Sequence, residues 1–442
     1  MSYCTAVRYS IEWVDDPERF AALGEDWDGL LGEGSMPFDR HCWYSAWWKA
    51  FGEGRRLRVC VVSRDGRLQA VFPLVFNGRR LEAMANVHTP VFRPIAGEAD
   101  ALKAVAIAAL ESGFESLELA ALPAGDEGTE LLRHEARAAG LTTLVEAQHV
   151  SPIVDTTGSF EDWREGSKPR WRAPLERFRR KMARDHDAAF SIVEPPSDLK
   201  AQLRAGFAVE ASGWKGQVGT AITSSPETET FYRELARSFH DRDELRLSEI
   251  SLDGVLVAFD LCLLFGNRLY LLKTGFDEGF RKLAPGLVMR LSIIERCFEL
   301  GLDGHELLGD DSEWKRKFST GERAHQVLRA YRPRPVALAR YGYRVWLRPF
   351  LKRVYRGTAG RSRPAGLTDL VIRPATPLDA PGCRPSPQGV SCLPASWSGG
   401  RQPPDRPTPS AAMQEERSES LAGLPPPTAS GIAFGRLHPG TA

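Results

Sequence analysis

Residues 245–275 read LRLSEISLDGVLVAFDLCLLFGNRLYLLKTG. Three β-rich runs are separated by Asp253-Gly254 and Gly266-Asn267, pairs that suit the positive φ angles of two-residue hairpin turns. The spacing predicts an antiparallel meander. A loop follows, FDEGFRKLAPG (276–286), and leads into LVMRLSIIERCFEL. There Leu287, Leu291, Ile294 and Phe298 recur at helical spacing and mark one apolar face. Gly301 stops the helix, and the short run HELLG supplies a closing strand.

The same unit occurs upstream. LRVCVVSRDGRLQAVFPLVFNGRRL (57–81) aligns with LRLSEISLDGVLVAFDLCLLFGNRL (245–269) at a constant offset of 188, with 10 of 25 positions identical. Ordinary residue frequencies give about two identities in such a window. FRPIAG (92–97) then meets FRKLAPG (280–286) with one insertion, and ESGFESLEL (111–119) meets ELGLDGHEL (299–307). A period this long is a duplicated domain and not a solenoid. The expected architecture is α+β with a mixed sheet. Two tandem domains, 1–155 and 156–333, precede a basic aromatic segment (334–356). A tail rich in Pro, Ser and Arg (357–442) follows, with few apolar residues and no periodicity, a composition that predicts disorder.

The 442 residues carry a net charge of +1, so no global field directs the chain to nucleic acid. The seven cysteines form no CxxC pair and the nine histidines no metal-spaced motif, so no metal site is expected. The N-terminus lacks a basic region followed by an apolar core, and Val255–Phe265 is too short to span a bilayer. These features suit a cytoplasmic protein. RPVALARYGYRVWLRPFLKRVYR (334–356) is compatible with peripheral membrane contact or with docking on the fold.

Three further segments stand out. Trp43, Tyr44, Trp47 and Trp48 share most of one helix face, a stripe that normally belongs to a core. SKPRWRAPLERFRRKMARDHD (167–187) is densely basic, either a solvated face or a local anion site. EASGWKGQVGTAI (210–222) places Trp214 and Lys215 among glycines, as a close approach to substrate or a surface turn would. Downstream, GDDSEWKRKF (309–318) sets Asp310 near Lys315, a mixed-charge cluster fit for substrate positioning or for surface salt bridges.

In the loop before the 287–298 helix, Pro285 and Gly286 keep side-chain bulk away from the backbone, while Arg281 and Lys282 add cations. Free N–H groups and the helix dipole make such a place suited to phosphate or pyrophosphate. Its counterpart in the first half is followed by Glu98 and Asp100, which repel an anion. The second half is therefore the expected binder, with the first half a degenerate partner walling the cleft.

The order of elements, with RKLAPG in place of an R/Q-x-x-G-x-G/A loop, resembles the GNAT superfamily of acyl-CoA-dependent transferases, with Ala284 at the first loop glycine. GWKG…GTAI, LKTGFDE…APG and EWKRKF are similar more specifically to its CelD-type branch, related to the Fem-type aminoacyl transferases with tandem GNAT-like folds. The resemblance implies acetyl-CoA or another acyl-CoA at Arg281, Lys282, Ala284, Pro285, Gly286 and Leu287. It implies an amino acceptor from an envelope or polysaccharide precursor, with polysaccharide-assembly proteins as partners. A base is then needed, and Asp277, Asp260 and Glu249 are the candidates. Asp260 lies within an apolar strand, facing core or solvent. Trp214, Lys215, Lys273, Asp310 and Lys315 are the candidate substrate contacts. The alternatives are a Fem-type transferase using aminoacyl-tRNA and a non-catalytic assembly factor.

Overall fold

The computed structural model describes residues 9–348; the 357–442 tail and the end of the 334–356 segment lie outside them. Among the described residues, fifteen strands alternate with helices. They are β1 (Ser10–Val14), β2 (Arg56–Leu57), β3 (Val59–Arg64), β4 (Arg67–Phe72), β5 (Leu74–Asn77), β6 (Arg80–Ala83), β7 (Ile95–Ala96) and β8 (Ser116–Pro123). Then come β9 (Thr142–Asp155), β10 (Ala188–Glu194), β11 (Leu245–Leu252), β12 (Val255–Phe265), β13 (Arg268–Phe276), β14 (Gly304–Glu306) and β15 (Gly321–Tyr331). They form a four-stranded sheet, β1-β3-β4-β7, and an eleven-stranded mixed sheet, β10-β11-β12-β13-β14-β9-β15-β8-β6-β5-β2.

The repeat read from the sequence is repeated in the pairing. Asp65-Gly66 (φ 52° and 75°) and Asp253-Gly254 (φ 52° and 78°) turn alike, both residues left-handed as a two-residue hairpin requires. Val62 pairs with Ala70 and Ile250 with Ala258, and in both hairpins the register breaks at the next residue, Ser63 and Ser251. The parallel pairs also coincide at the offset of 188: Arg80 with Ser116, and Arg268 with Gly304. Even an ion pair is duplicated, Arg80–Glu118 at 3.8 Å and Arg268–Glu306 at 3.1 Å. The halves differ where Pro73 interrupts β4 and β5. Proline has no N–H for the ladder. The equivalent Leu261 keeps β12 continuous through a bulge.

The two halves exchange their last strands. β9 closes the first half in sequence but pairs with β14 of the second, while β15 closes the second half and pairs with β8 of the first. β9 and β15 run antiparallel to each other, with His149 opposite His325 and the two rings stacked 4.4 Å apart.

Of the aromatic stripe, Trp43, Tyr44 and Trp47 are buried in the core with Trp27, and Trp48 is half-buried at its edge. Trp43 meets Phe231 edge-on at 5.4 Å, tying helix His41–Phe51 to helix Pro226–His240. Cys60 and Cys297 are buried as well, and burial pushes both thiols up to about 12. Thiols so poorly ionised are inert.

Candidate active site

β13 pairs with β14 only over Arg268–Tyr270. β14 ends at Glu306 while β13 runs on to Phe276, so beyond Tyr270 the two strands no longer pair. A cavity of about 410 Å³ lies against this free stretch, lined by Thr274, Gly275 and Phe276. Its floor is the start of helix Pro285–Glu299, contributing Ala284, Gly286 and Leu287, and its rim includes Arg281 and Trp314. The opposite wall comes from Glu210, Gly213 and Lys215, at the end of helix Leu199–Ser212 and just beyond it.

Two glycines allow this closeness. A Cβ on Gly275 would sit 2.5 Å from the Glu210 Cα, so only glycine lets the helix lie flush on β13. A Cβ on Gly286 would press the Phe276 ring at 3.3 Å. The Leu287 and Val288 N–H groups both donate to the Ala284 carbonyl at 3.0 Å, whereas the Gly286 N–H, on the cavity wall at the positive end of the helix dipole, has no hydrogen-bond partner among the described residues. The first half differs here. Before its equivalent helix, Ala99–Glu111, the Gly97 N–H donates to the Gln69 carbonyl at 3.0 Å, and the N-cap residue Glu98 turns its carboxylate to the Tyr9 hydroxyl at 2.8 Å and to Arg64 at 2.8 Å.

Ala284 takes up the left-handed conformation, φ 49° and ψ 50°, between the 3-10 segment Glu278–Leu283 and the helix. Ala284→Gly should stabilise the fold by about 0.5–1 kcal/mol, since relief of a left-handed penalty of roughly 1–2 kcal/mol exceeds the added freedom of the unfolded glycine. Urea unfolding measures it; a destabilised variant would show that alanine carries no strain there.

Charge around the cavity is built on buried pairs. Lys215 Nζ donates to the Thr274 carbonyl at 2.6 Å and to Glu210 Oε1 at 3.0 Å, and Glu210 Oε2 accepts the Ile222 N–H at 2.9 Å. Lys315 donates to the Leu308 carbonyl and lies 5.6 Å over the Trp314 ring. Burial lowers its pKa to about 8, helped by Arg290. Behind Trp314, whose ring is 5.7 Å from the Arg290 guanidinium, stands a fully buried trio. Arg290 bonds Asp260 and donates to His305 Nε2 at 2.6 Å, while His305 Nδ1 donates to the Leu269 carbonyl at 3.0 Å. Burial pushes the Asp260 carboxyl up against the pull of Arg290, and it drives the His305 pKa well down, so that ring is neutral with its proton on Nδ1. The first half has Phe72 at the place of Asp260 and Leu117 at that of His305. The fold itself does not need the trio.

The residues singled out in the sequence separate accordingly. Arg281, Ala284, Gly286, Leu287 and Lys215 converge on the cavity. Pro285 is the buried first helical residue, and Lys282 is exposed beside it. The Trp214 side chain lies outside the described residues. Lys273 projects over the Tyr232 ring at 4.7 Å, with its pKa lowered to about 8 by burial. Tyr232 in turn meets His88 of the first half at 3.3 Å. Asp310 is exposed. Asp277 caps the 3-10 segment through the Gly279 N–H at 2.8 Å, and Glu249 accepts from Gln202 at 2.9 Å; neither lines the cavity. Asp260 faces the core, with no exposure. Glu210, Arg290 and His305 escaped the sequence reading. An arginine on the helix face marked by Leu287 and Leu291, opposite an aspartate in an apolar strand, was the available signal. Among the described residues, no group of three or more His, Cys, Asp or Glu is placed to hold a metal.

Three solved structures resemble the chain at low identity. FemX is 12% identical over 71% of this chain and 96% of its own, with a TM-score of 0.46. L-PGS from Bacillus licheniformis is 15% identical over 74% and 95%, with a TM-score of 0.46. A tandem GNAT protein from the clavulanic acid biosynthesis pathway is 12% identical over 74% and 100%, with a TM-score of 0.39. Likenesses at this level carry no argument about chemistry. No curated protein matches the chain. Residues 169–316, which hold the cavity, β10–β14 and the helix that starts at its floor, match the family described as acetyltransferase (GNAT) domain, and they form an acyltransferase domain of that type.

Proposed function

We propose that the protein is an acyl-CoA-dependent N-acyltransferase acting on an amino group of a cell-envelope or exopolysaccharide precursor. One observation carries the donor half of this reading: the cavity beside the free stretch of β13 ends at a helix start with the Gly286 N–H and Arg281 on its wall. Arg281, Gly286 and the helix dipole suit a pyrophosphate, and Phe276 and Leu287 suit an apolar arm. These residues would hold acetyl-CoA or another acyl-CoA, which supplies the thioester carbonyl. Lys215 offers fixed positive charge where negative charge grows on a carbonyl oxygen. Glu210, the carboxylate paired with it, takes the proton from the acceptor amine. The envelope context rests on the sequence resemblance to the CelD-type branch.

Calorimetric titration of acetyl-CoA into the full chain tests the donor. Micromolar affinity is expected, and absence of binding to folded protein would sink the reading. For the chemistry, Glu210→Gln should cut kcat for CoA release with amino-sugar acceptors by about 10²–10⁴-fold. Glutamine keeps an acceptor for the Ile222 N–H, so acetyl-CoA affinity should hold. Unchanged turnover would remove Glu210 from the role.

A further inference from the structure

We propose that the helical segment Pro335–Leu347 seats the protein on a lipid surface carrying anionic headgroups. Eleven large apolar side chains are exposed among the described residues, and five of them lie here: Val336, Leu338, Tyr343, Trp346 and Leu347. Trp346 alone is 73% exposed. Helix Pro335–Gly342 continues into a π-turn, Tyr343–Leu347. One face is anchored to the sheet. Ala337 is buried, Tyr341 meets Tyr331 of β15 edge-on at 5.7 Å, and Arg344 reaches Glu146 of β9 at 3.5 Å. The other face is apolar, where Ala339, Gly342, Tyr343, Trp346 and Leu347 outline a shallow depression. Residues 339, 342, 343 and 346 fall on one side of a helix.

Charge selects the occupant. From Arg323 to Thr368 the sequence holds twelve Lys or Arg and no Asp or Glu. Arg334 and Arg348 flank the apolar face, both exposed and without a carboxylate partner among the described residues. A protein partner's surface mixes both signs. Arg340 and Arg344 are paired with Glu115 and Glu146, which leaves Arg334 and Arg348 as the unpaired charges beside the aromatic rings among the described residues. Unpaired arginines there suit a diffuse negative surface with an apolar layer beneath it, because Trp and Tyr settle at the headgroup boundary and arginine stems reach outward from it. Among the described residues, no helix is long and apolar enough to cross a membrane, so the contact is peripheral. This placement is independent of the acyl-CoA reading.

Co-sedimentation of the full chain with vesicles tests it. The protein should pellet with vesicles of mixed phosphatidylglycerol and phosphatidylcholine, stay soluble with phosphatidylcholine alone, and be released by added salt. Trp346→Glu, at an exposed position, should lower the partition by about tenfold or more with the circular dichroism spectrum unchanged. Failure to pellet with the anionic vesicles, or equal pelleting of the variant, would overturn the proposal. So would self-association in sedimentation velocity that Trp346→Glu abolishes, since the face would then belong to a second copy of the chain.

Discussion

Asp260→Ala will lower the unfolding free energy by about 3–5 kcal/mol, because it strands a guanidinium that has no exposure to water. Arg290 would keep only His305 as a polar partner, and a neutral imidazole cannot balance its charge. The first half shows what the fold tolerates instead: Phe72 and Leu117 occupy two of the equivalent places. Replacing both members of the pair, Asp260→Leu with Arg290→Met, should therefore recover most of the loss. Urea unfolding of the wild type and of both variants makes the comparison. A loss below about 1 kcal/mol in the single variant would contradict a buried ion pair. If the double variant regains stability but loses turnover, the trio serves the site behind Trp314 and not the fold.

Gly286→Trp will weaken acetyl-CoA binding by at least about 100-fold, roughly 2.8 kcal/mol. Its Cβ already presses on Phe276, and an indole must turn into the cavity or break the helix start. Gly97→Trp in the first half has room, since its Cβ meets nothing closer than 3.8 Å. That variant should bind as the wild type does. The reverse outcome, binding lost at Gly97 and kept at Gly286, would move the donor site to the first half. Circular dichroism of both variants separates lost binding from lost structure.

The hairpins were legible because Asp-Gly and Gly-Asn pairs fix turn geometry locally, and the duplication because ten identities at one offset exceed chance. The loop before the helix was legible for the same local reason: a glycine beside cations at a helix start. The face chosen by Asp260 was not. Helices Leu199–Ser212 and Pro285–Glu299 cover both sides of β12, so both faces read as apolar and alternation loses its meaning. Glu210 was hidden for a different reason. Its burial depends on a glycine 65 positions away, and nothing in the apolar run that precedes it, AGFAV (205–209), points to that glycine. Asp277 and Glu249 drew attention as acids near that loop, yet one caps a 3-10 segment and the other holds Gln202. The strand exchange left no trace at all, because an offset says which segments are alike and nothing about which edge each one joins.

That exchange defines what one half would be without the other. Cut between β9 and β10, the first half keeps β8 with an open edge where β15 had been, and β9 without either of its neighbours, β14 and β15. Both are open templates for pairing. A second copy of the same half would satisfy them by trading last strands about a two-fold axis, where residue 149 meets its own image, as His149 meets His325 here. The architecture is thus that of a strand-swapped homodimer written into one chain. A homodimer must keep both halves alike; a single chain is free of that constraint, and one half can carry Glu98 at its helix start while the other holds a buried arginine.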